Sequence, residues 1–377
     1  MIYLDYCATS APFESVLEVY KDINTNHFGN PSSLHFYGYE SKKLLEEARN
    51  GILSLLNVDK VDNLIFTSSA TEANNLVLKG VPFKYKNRGN RIITSLGEHP
   101  SILNPLIQMK ELFGFKVDHV PLKEDGEIDL DAFKSMMGDD VILVSIMGVN
   151  NETGAINPVK DIANIVKSYP KCFFHSDLTQ AIGKIDLDYS IFDMFSFSAH
   201  KIGGVKGNGC LVYKKKVQFV PLVYGGEQEY SLRSGTVDVA SSYSTYIALK
   251  TTLSLLKEKS GHVYQLRDYL YSKLEAIPSI SLNSTKKGSP FVTSISLEKN
   301  KASVVVEGLS NKGICVSSVS ACSSKGKPSS YVLTAMGKNS KQAHNPIRIS
   351  FSFNTTKEEI DIFIQELERL LKETKTI

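Results

Sequence analysis

Short apolar runs alternate with amphipathic stretches through most of this chain. Arg91 to Leu96, Lys116 to Val120, Val141 to Met147, Cys172 to Ser176 and Met194 to Phe197 are strand-like, with helical stretches such as Pro158 to Ser168 between several of them. Strands joined by crossover helices predict a mostly parallel sheet covered by helices on both faces, an α/β architecture. Upstream, Leu44, Leu45, Ala48, Ile52 and Leu55 recur at three- and four-residue intervals on one helical face, and Asn63 to Thr67 is a further apolar strand. Beyond Val239 the pattern changes. A long helical region (Val239 to Lys257) and another carrying Leu266, Leu270, Leu274 and Ile277 precede strands at Phe291 to Leu297, Ile314 to Ser317 and Ile347 to Phe353, which alternate with helices. This reads as a smaller α+β unit. Its last helix opens on a capping box, Thr356-x-x-Glu359, and presents Ile360, Phe363, Ile364, Leu367, Leu370 and Leu371 on one face. The expected organisation is a large domain over 12–256 and a small domain built from 1–11 and 257–377.

Composition narrows the class. A chain of 377 residues with 42% hydrophobic content is long enough for two cores. The net charge of +3 is small and no long Lys/Arg block appears, so neither nucleic acid nor an anionic membrane is implied as a partner. The opening MIYLDYCATS has no charged region followed by an apolar core, and nowhere do 18 apolar residues run together, which makes the cytoplasm the default expectation. Cys7, Cys172, Cys210, Cys315 and Cys322 are odd in number and widely spaced, without a CxxC pair, which argues against structural disulfides and a cysteine zinc site.

Candidate chemistry collects at strand ends. Ligands of open α/β sheets bind beyond the carboxyl ends of the strands, and the polar punctuation falls there: Glu98-His99, Asn150-Asn151-Glu152, His175 to Gln180, and Ser198-Ala-His200-Lys201. Lys201 follows an apolar run and precedes Gly203, Gly204, Gly207 and Gly209. A lysine desolvated at such a strand end has a lowered pKa and an amine free to form a Schiff base. Together these groups fit a pyridoxal phosphate site: Lys201 holds the aldehyde, a carboxylate such as Asp177 keeps the pyridine nitrogen protonated, and His99 stacks on the ring. Metal binding is the competing use of His and Asp, but no HExxH or HxH pair appears and the eight histidines are dispersed. Two further stretches stay open at this level. Ser69 to Thr71, between a strand and a helical pattern, suits a phosphate cradle or an ordinary N-cap. The loop His27 to His35, with Asn30, suits a connector or a substrate-facing loop.

The ordered set LDYCATSAP, GNPSSLH, FTSSATEANN, EHPSI, VNNETG, HSDLTQAIGK, SFSAHKIGG, GGEQEYSLRSGT, SVSACSS and RISFSFNTT resembles the cysteine desulfurases of the NifS/IscS type, within the class V aminotransferase superfamily. The match runs from Tyr3 to beyond Thr356. The resemblance implies fold type I of the pyridoxal phosphate enzymes, a homodimer, and conversion of L-cysteine to L-alanine with the sulfur held as an enzyme persulfide. It puts the Schiff base on Lys201, ring stacking and acid/base work on His99, and the pyridinium partner on Asp177. Gln180 and Asn150 fall where the family contacts the phenolic oxygen or substrate. Ala70, Thr71, Ser198 and His200 match phosphate positions, and Thr236 matches the phosphate contact supplied by the opposite subunit. Arg348 matches the arginine that grips the substrate carboxylate, Asn30 resembles a second carboxylate contact, and Cys322 aligns with the sulfur-accepting nucleophile.

Some positions depart from the pattern. Cys7 and Ser10 replace the commoner Ala and Thr, Ser69 stands where Gly is usual, Gly148 replaces a frequent His and so leaves room near the cofactor, and Val205 replaces Pro. Cys172, Cys210 and Cys315 sit in apolar runs and read as buried, inert thiols. Cys322 lies instead in a stretch with the composition of a mobile exposed loop (about 318–330), with Lys325 and Lys327 nearby to favour the thiolate. Its SVSACSS setting resembles the long-loop subgroup that hands sulfur directly to acceptor proteins, such as an iron–sulfur scaffold or a tRNA-thiolation enzyme. Three alternatives stay open: a selenocysteine lyase, a class V aminotransferase that does not need Cys322, and a non-enzymatic sulfur-partner scaffold that does not need Lys201.

Overall fold

Phe173–Asp177, buried along its whole length, is the central strand of a seven-stranded sheet. The computed structural model describes residues 1–60, 62–318 and 329–374. Across the sheet the strands run Asp62–Thr67, Gly209–Lys214, Met194–Ser198, Phe173–Asp177, Val141–Ser145, Arg91–Ser95 and Lys116–Val120. Only Gly209–Lys214 runs against its neighbours. The sequence pattern does not single out that strand, because its short apolar run lies directly behind the glycine-rich loop. Successive residues point to opposite faces. Phe66, Ile93, Val144 and Phe174 join one core, which packs against the helices Glu14–Asn26 and Phe36–Leu55. Ile65, Ile92, Leu143 and Phe173 join the other, with Ile102, Leu106 and Met109 of the helix Pro100–Phe113. Burial on both faces explains the near-continuous apolar runs.

A third core contains Leu4, Cys7 and apolar residues from Val263 to Leu371. It lies on an antiparallel sheet of order Ser317–Ser318, Pro346–Ser350, Val292–Leu297, Ile280–Leu282. The capping box forms as expected: Thr356 Oγ1 accepts from Glu359 N–H at 3.2 Å and Glu359 Oε2 accepts from Thr356 N–H at 3.0 Å. All six apolar residues of that helix's face are buried in this core.

The two helices expected between Val239 and Ile277 are one, Val239–Glu275, of 37 residues. No proline interrupts it, and Gly261 alone is too weak a breaker. Its first half gives Ala248 and Leu249 to the first core, and its second half gives Val263, Leu266, Leu270 and Leu274 to the third. Among the described residues no helix is long and apolar enough to cross a membrane.

Gly261 is exposed in the middle of that helix, and a Cβ built on it meets nothing within 4 Å. Gly261→Ala should therefore raise stability by about 1 kcal/mol through helix propensity alone. A rise in the urea midpoint at unchanged slope is the expected result.

Candidate active site

The carboxyl ends of the central strands open into a cavity of about 700 Å³. Each of the four polar clusters supplies wall residues: His99; Asn151 and Glu152; Asp177, Thr179 and Gln180; Ser198, His200 and Lys201. Ala70, Thr71 and Arg348 complete the set of expected residues that meet there. The chain start closes one side. Cys7 and Ala8 line the cavity, and the Lys201 Nζ donates to both of their carbonyls, at 2.6 Å for Ala8. Burial lowers the Lys201 pKa to about 8; Lys184 and Arg348 push the same way, opposed by Cys7 and Asp5. An amine so placed is uncharged often enough near neutrality to act as a nucleophile.

Asp177 is held by two donors: Asn74 Nδ2 at 2.8 Å on one oxygen and Thr179 N–H at 2.9 Å on the other. Asn74 also donates to Ser101 Oγ at 2.9 Å and accepts from Ser196 Oγ. Ser101 in turn meets His99, whose Nδ1 accepts its N–H at 3.1 Å and lies 2.9 Å from its Oγ. Burial lowers the His99 pKa, so the ring is neutral at pH 7. With Nδ1 taken as an acceptor, its proton sits on Nε2. His175, in the same run as Asp177, lies behind the wall with Nδ1 2.9 Å from Ser145 Oγ, and burial lowers it to about 4.

Arg348 binds Asp5 Oδ1 at 2.9 Å and the Asn151 carbonyl at 3.1 Å. Its Nε, Asn151 Oδ1 and Thr179 Oγ1 are buried polar atoms without a hydrogen-bond partner among the described residues, and all three residues line the cavity. Native proteins rarely leave such atoms orphaned, so these are groups shaped for a polar ligand. The loop at Ser69 serves as a cap and a wall at once. Ser69 Oγ accepts from Glu72 N–H at 3.4 Å, Ala70 N–H donates to Ser198 Oγ at 2.8 Å, and Thr71 faces the cavity. The backbone approaches closely there, since a Cβ on Gly209 would come within 2.5 Å of the Ser69 carbonyl carbon.

Several expected residues lie elsewhere. The Asn150 side chain is spent on its own turn: Nδ2 donates to Gly97 O at 2.9 Å, while Oδ1 accepts from Glu152 and Thr153 N–H, each at 2.9 Å. Its neighbour Asn151 takes the place in the wall. Asn30 is exposed in its loop, where Oδ1 accepts from Ser32 N–H at 2.9 Å, and Thr236 is exposed outside this chain's cavity. The run leading to Thr236 is braced. Glu229, Tyr230 and Ser231 all have positive φ, and the buried Glu229 carboxylate accepts from Arg49 at 2.9 and 3.1 Å and from Phe66 N–H at 2.6 Å. Cys322 lies outside the described residues, but Ser317, Ser318 and Ser329 on either side of its segment line the cavity.

Two expectations are corrected. Gly148 leaves no room, because a Cβ there would be 2.8 Å from Leu178 Cδ2 and 3.2 Å from Ala181 Cβ. Cys315 is only half-buried, whereas burial raises the thiol pKa values of Cys172 and Cys210. The residues that sequence patterns passed over are Asp5, Asn74, Asn151, Glu152, Thr179, Ser330 and Tyr331. Most sit inside the quoted motifs beside the residues chosen, so only side-chain direction separates them.

A desolvated lysine and a fixed carboxylate thus meet at the strand ends of a mixed sheet in an α/β fold. The family model for class-V aminotransferases matches residues 2–363, and the chain belongs to that family. It is 36% identical over 380 residues to cysteine desulfurase IscS of Dictyoglomus turgidum, covering 100% of this chain and 96% of that protein. Among solved structures, a NifS-like protein superposes with a TM-score of 0.92 at 35% identity, covering 99% of each chain. SspA in complex with cysteine superposes with a TM-score of 0.80 at 30% identity, over 93% of this chain and 99% of that one.

Burial raises the Glu152 carboxyl to about 7, against the lowering effect of its 2.5 Å bond from Ser330 Oγ. The folded state therefore holds this proton more tightly than the unfolded state. Its contribution is full at low pH and is lost as pH rises from about 4.5 to about 7. Relative to Glu152→Gln, the parent should lose up to about 1.4 kcal/mol per pH unit across that window. Paired urea melts at pH 5 and 7.5 measure it. The nearby buried Glu98, raised to about 8, is present in both proteins and cancels.

Proposed function

We propose that this protein is a pyridoxal phosphate-dependent cysteine desulfurase. It converts L-cysteine to L-alanine, with the sulfur held as a persulfide on Cys322 and passed to an acceptor protein such as an iron–sulfur scaffold or a tRNA-thiolation enzyme. The observation that carries this is the desolvated Lys201 amine in one cavity with Asp177, His99 and Arg348. The orphaned Asn151, Thr179 and Arg348 atoms in the wall suit a ligand rich in oxygen.

Pyridoxal phosphate, when bound, supplies an aldehyde for an amine and an electron sink for the bond changes at the substrate carbons. Lys201 would anchor it and, as a free amine, would take the substrate's Cα proton. Asp177, fixed by Asn74 and Thr179, keeps a positive charge on the ring nitrogen favourable. Thr71, Ser198 and His200, with the Ala70 backbone, serve the phosphate. Arg348 grips the substrate carboxylate with its planar fork. His99 begins with its proton on Nε2 and so acts first as a donor. Cys322 thiolate attacks the substrate sulfur: an S–S bond forms, the Cβ–S bond breaks with its electron pair going to carbon, and protonation of Cβ together with return of the proton to Cα gives alanine. Ser317, Ser318 and Ser329, on either side of the segment that carries Cys322 in the sequence, line the cavity, which supports the reading that Cys322 serves this site.

A homodimer would account for two of the expected residues outside the cavity, Asn30 and Thr236. The loop of Asn30 exposes Phe28, Leu34 and Phe36, and the loop leading to Thr236 exposes Tyr224. Single chains seldom leave so much apolar surface in water. A second copy would cover it and bring Asn30 and Thr236 to the neighbouring cavity.

Borohydride should fix the cofactor to Lys201 in the parent and to no lysine in Lys201→Ala, which should have lost activity; a label on another lysine refutes the anchor. Cys322→Ser should retain the cofactor's visible absorbance yet make little alanine and no persulfide. Mass spectrometry after brief turnover should find the extra sulfur on the Cys322 peptide, and finding it mainly on Cys7 or Cys315 would reassign the nucleophile.

A further inference from the structure

Lys184 lies behind the active-site wall, 8% exposed, at the end of the tight turn that follows the central strand. Gly183 makes the turn possible: its φ is +67°, and a Cβ there would lie 2.5 Å from Thr252 Cγ2. An ammonium carries three donors. Lys184 makes one side-chain hydrogen bond, from Nζ to Gln180 Oε1 at 2.8 Å, and takes part in no ion pair among the described residues. Keeping a cation in such a place is costly, and burial lowers the Lys184 pKa, with Arg348 pushing the same way and Cys7 opposing; a residue that merely filled space would be apolar.

The ammonium can only donate, so Gln180 must turn its carbonyl oxygen toward it. The amide NH2 is then forced to the other side, where Nε2 donates to Cys7 O at 3.0 Å. The same Cys7 carbonyl accepts from Lys201 Nζ. The Cys7 thiol adds a second donor to Gln180 Oε1 at 3.4 Å, which reinforces the same orientation. Four groups thus form one chain from Lys184 through Gln180 and the Cys7 carbonyl to Lys201. We propose that Lys184 is a positioning residue for the reaction: it locks the Gln180 amide with its NH2 toward the cavity and the Cys7 carbonyl, and in its ammonium form it places a positive charge behind the Lys201 amine.

Both effects bear on Lys201. The charged and titratable groups around its amine are Asp5 and Cys7 from the chain start, Lys184 from the turn, Arg348 from the second sheet, His99 from the cap of its helix and His200 beside it. Lys184 and Arg348 favour the uncharged amine. Removing the Lys184 charge therefore makes protonation of Lys201 easier, so its pKa rises and the nucleophilic form becomes scarcer at neutral pH. The orientation of Gln180 also leaves a fixed N–H donor on the cavity side, suited to an anionic oxygen of a bound ligand.

The inference rests on Lys201 as the covalent anchor, which borohydride labelling tests separately. The full-length chain, stripped of cofactor, is acylated with a limiting amine reagent between pH 6 and 11, and modification of the Lys201 peptide is followed by mass spectrometry. The parent should show a midpoint near 8. Lys184→Met should shift the midpoint upward, with reaction at neutral pH slowed about tenfold for each unit of rise. Lys184→Gln, which keeps a donor for Gln180 but loses the charge, should also shift it upward, and it carries the test if the methionine variant does not fold. Lys184→Arg should stay close to the parent. Lys184→Met or Lys184→Gln that folds and titrates Lys201 at the parental pH overturns the proposal, because a purely structural lysine would change stability and leave that midpoint where it was.

Discussion

The site depends on one contact: a buried amine held by two main-chain carbonyls from the far end of the sequence. Lys201 donates to Cys7 O and Ala8 O, and no carboxylate pairs with it among the described residues. Carbonyl dipoles satisfy the N–H groups without a full counter-charge, so the amine remains easy to deprotonate. That arrangement requires the chain start to be rigid. Ile2–Tyr3 pairs with Ile314–Cys315, Ser350 N–H donates to Leu4 O at 2.8 Å, and Cys7 N–H donates to Ser350 Oγ at 2.9 Å. On the other side Ser10 Oγ donates to His200 O at 2.8 Å and accepts from Gly203 N–H at 2.9 Å. The first ten residues are thus pinned to both the second sheet and the lysine loop, and Ser10, one of the departures from the family pattern, supplies two of the pins.

A second constraint is the buried polar network on the opposite side of the cavity. Asn74 joins Asp177, Ser101 and Ser196, and Ser101 joins His99. Inside a low-dielectric wall each of these bonds is strengthened by the others, and an unpaired member would be costly. The carboxylate and the imidazole are therefore oriented together from two different strands and a helix cap. The network is satisfied by protein groups, in contrast to Asn151, Thr179 and Arg348, whose orphaned atoms mark the ligand side.

Charge is handled differently at the periphery. Arg49 and Glu229 are buried and paired, and the bond that Glu229 accepts from Phe66 N–H ties three consecutive left-handed residues to the edge strand. The desolvation cost of burying both charges offsets much of their mutual attraction, so the pair is weak evidence of net stability. Here it sets the course of the loop that continues through Arg233, itself bonded to Glu72 at 2.9 Å, to the exposed Thr236.

Much of this was legible in the residues alone. Apolar runs of five or six residues between helical stretches could only be strands covered on both faces, and the capping box at Thr356 fixed the start of the last helix because both of its bonds are local. The polar clusters could be placed at one rim because strand direction in a parallel sheet is set by connectivity. Side-chain direction was not legible. Asn150 and Asn151 are adjacent and chemically identical, and only the turn geometry sends one inward to Gly97 and the other to the cavity. Nor do local patterns report a helix that continues from one core to the next: Val239–Glu275 has no buried residue between Thr252 and Val263, where it passes between cores, so its periodicity reads as two. The Cys7 carbonyl carries no sequence signal at all, since every residue has one. It became part of the site only when the chain start and Lys201, 194 positions apart, were brought together by the packing of the two sheets.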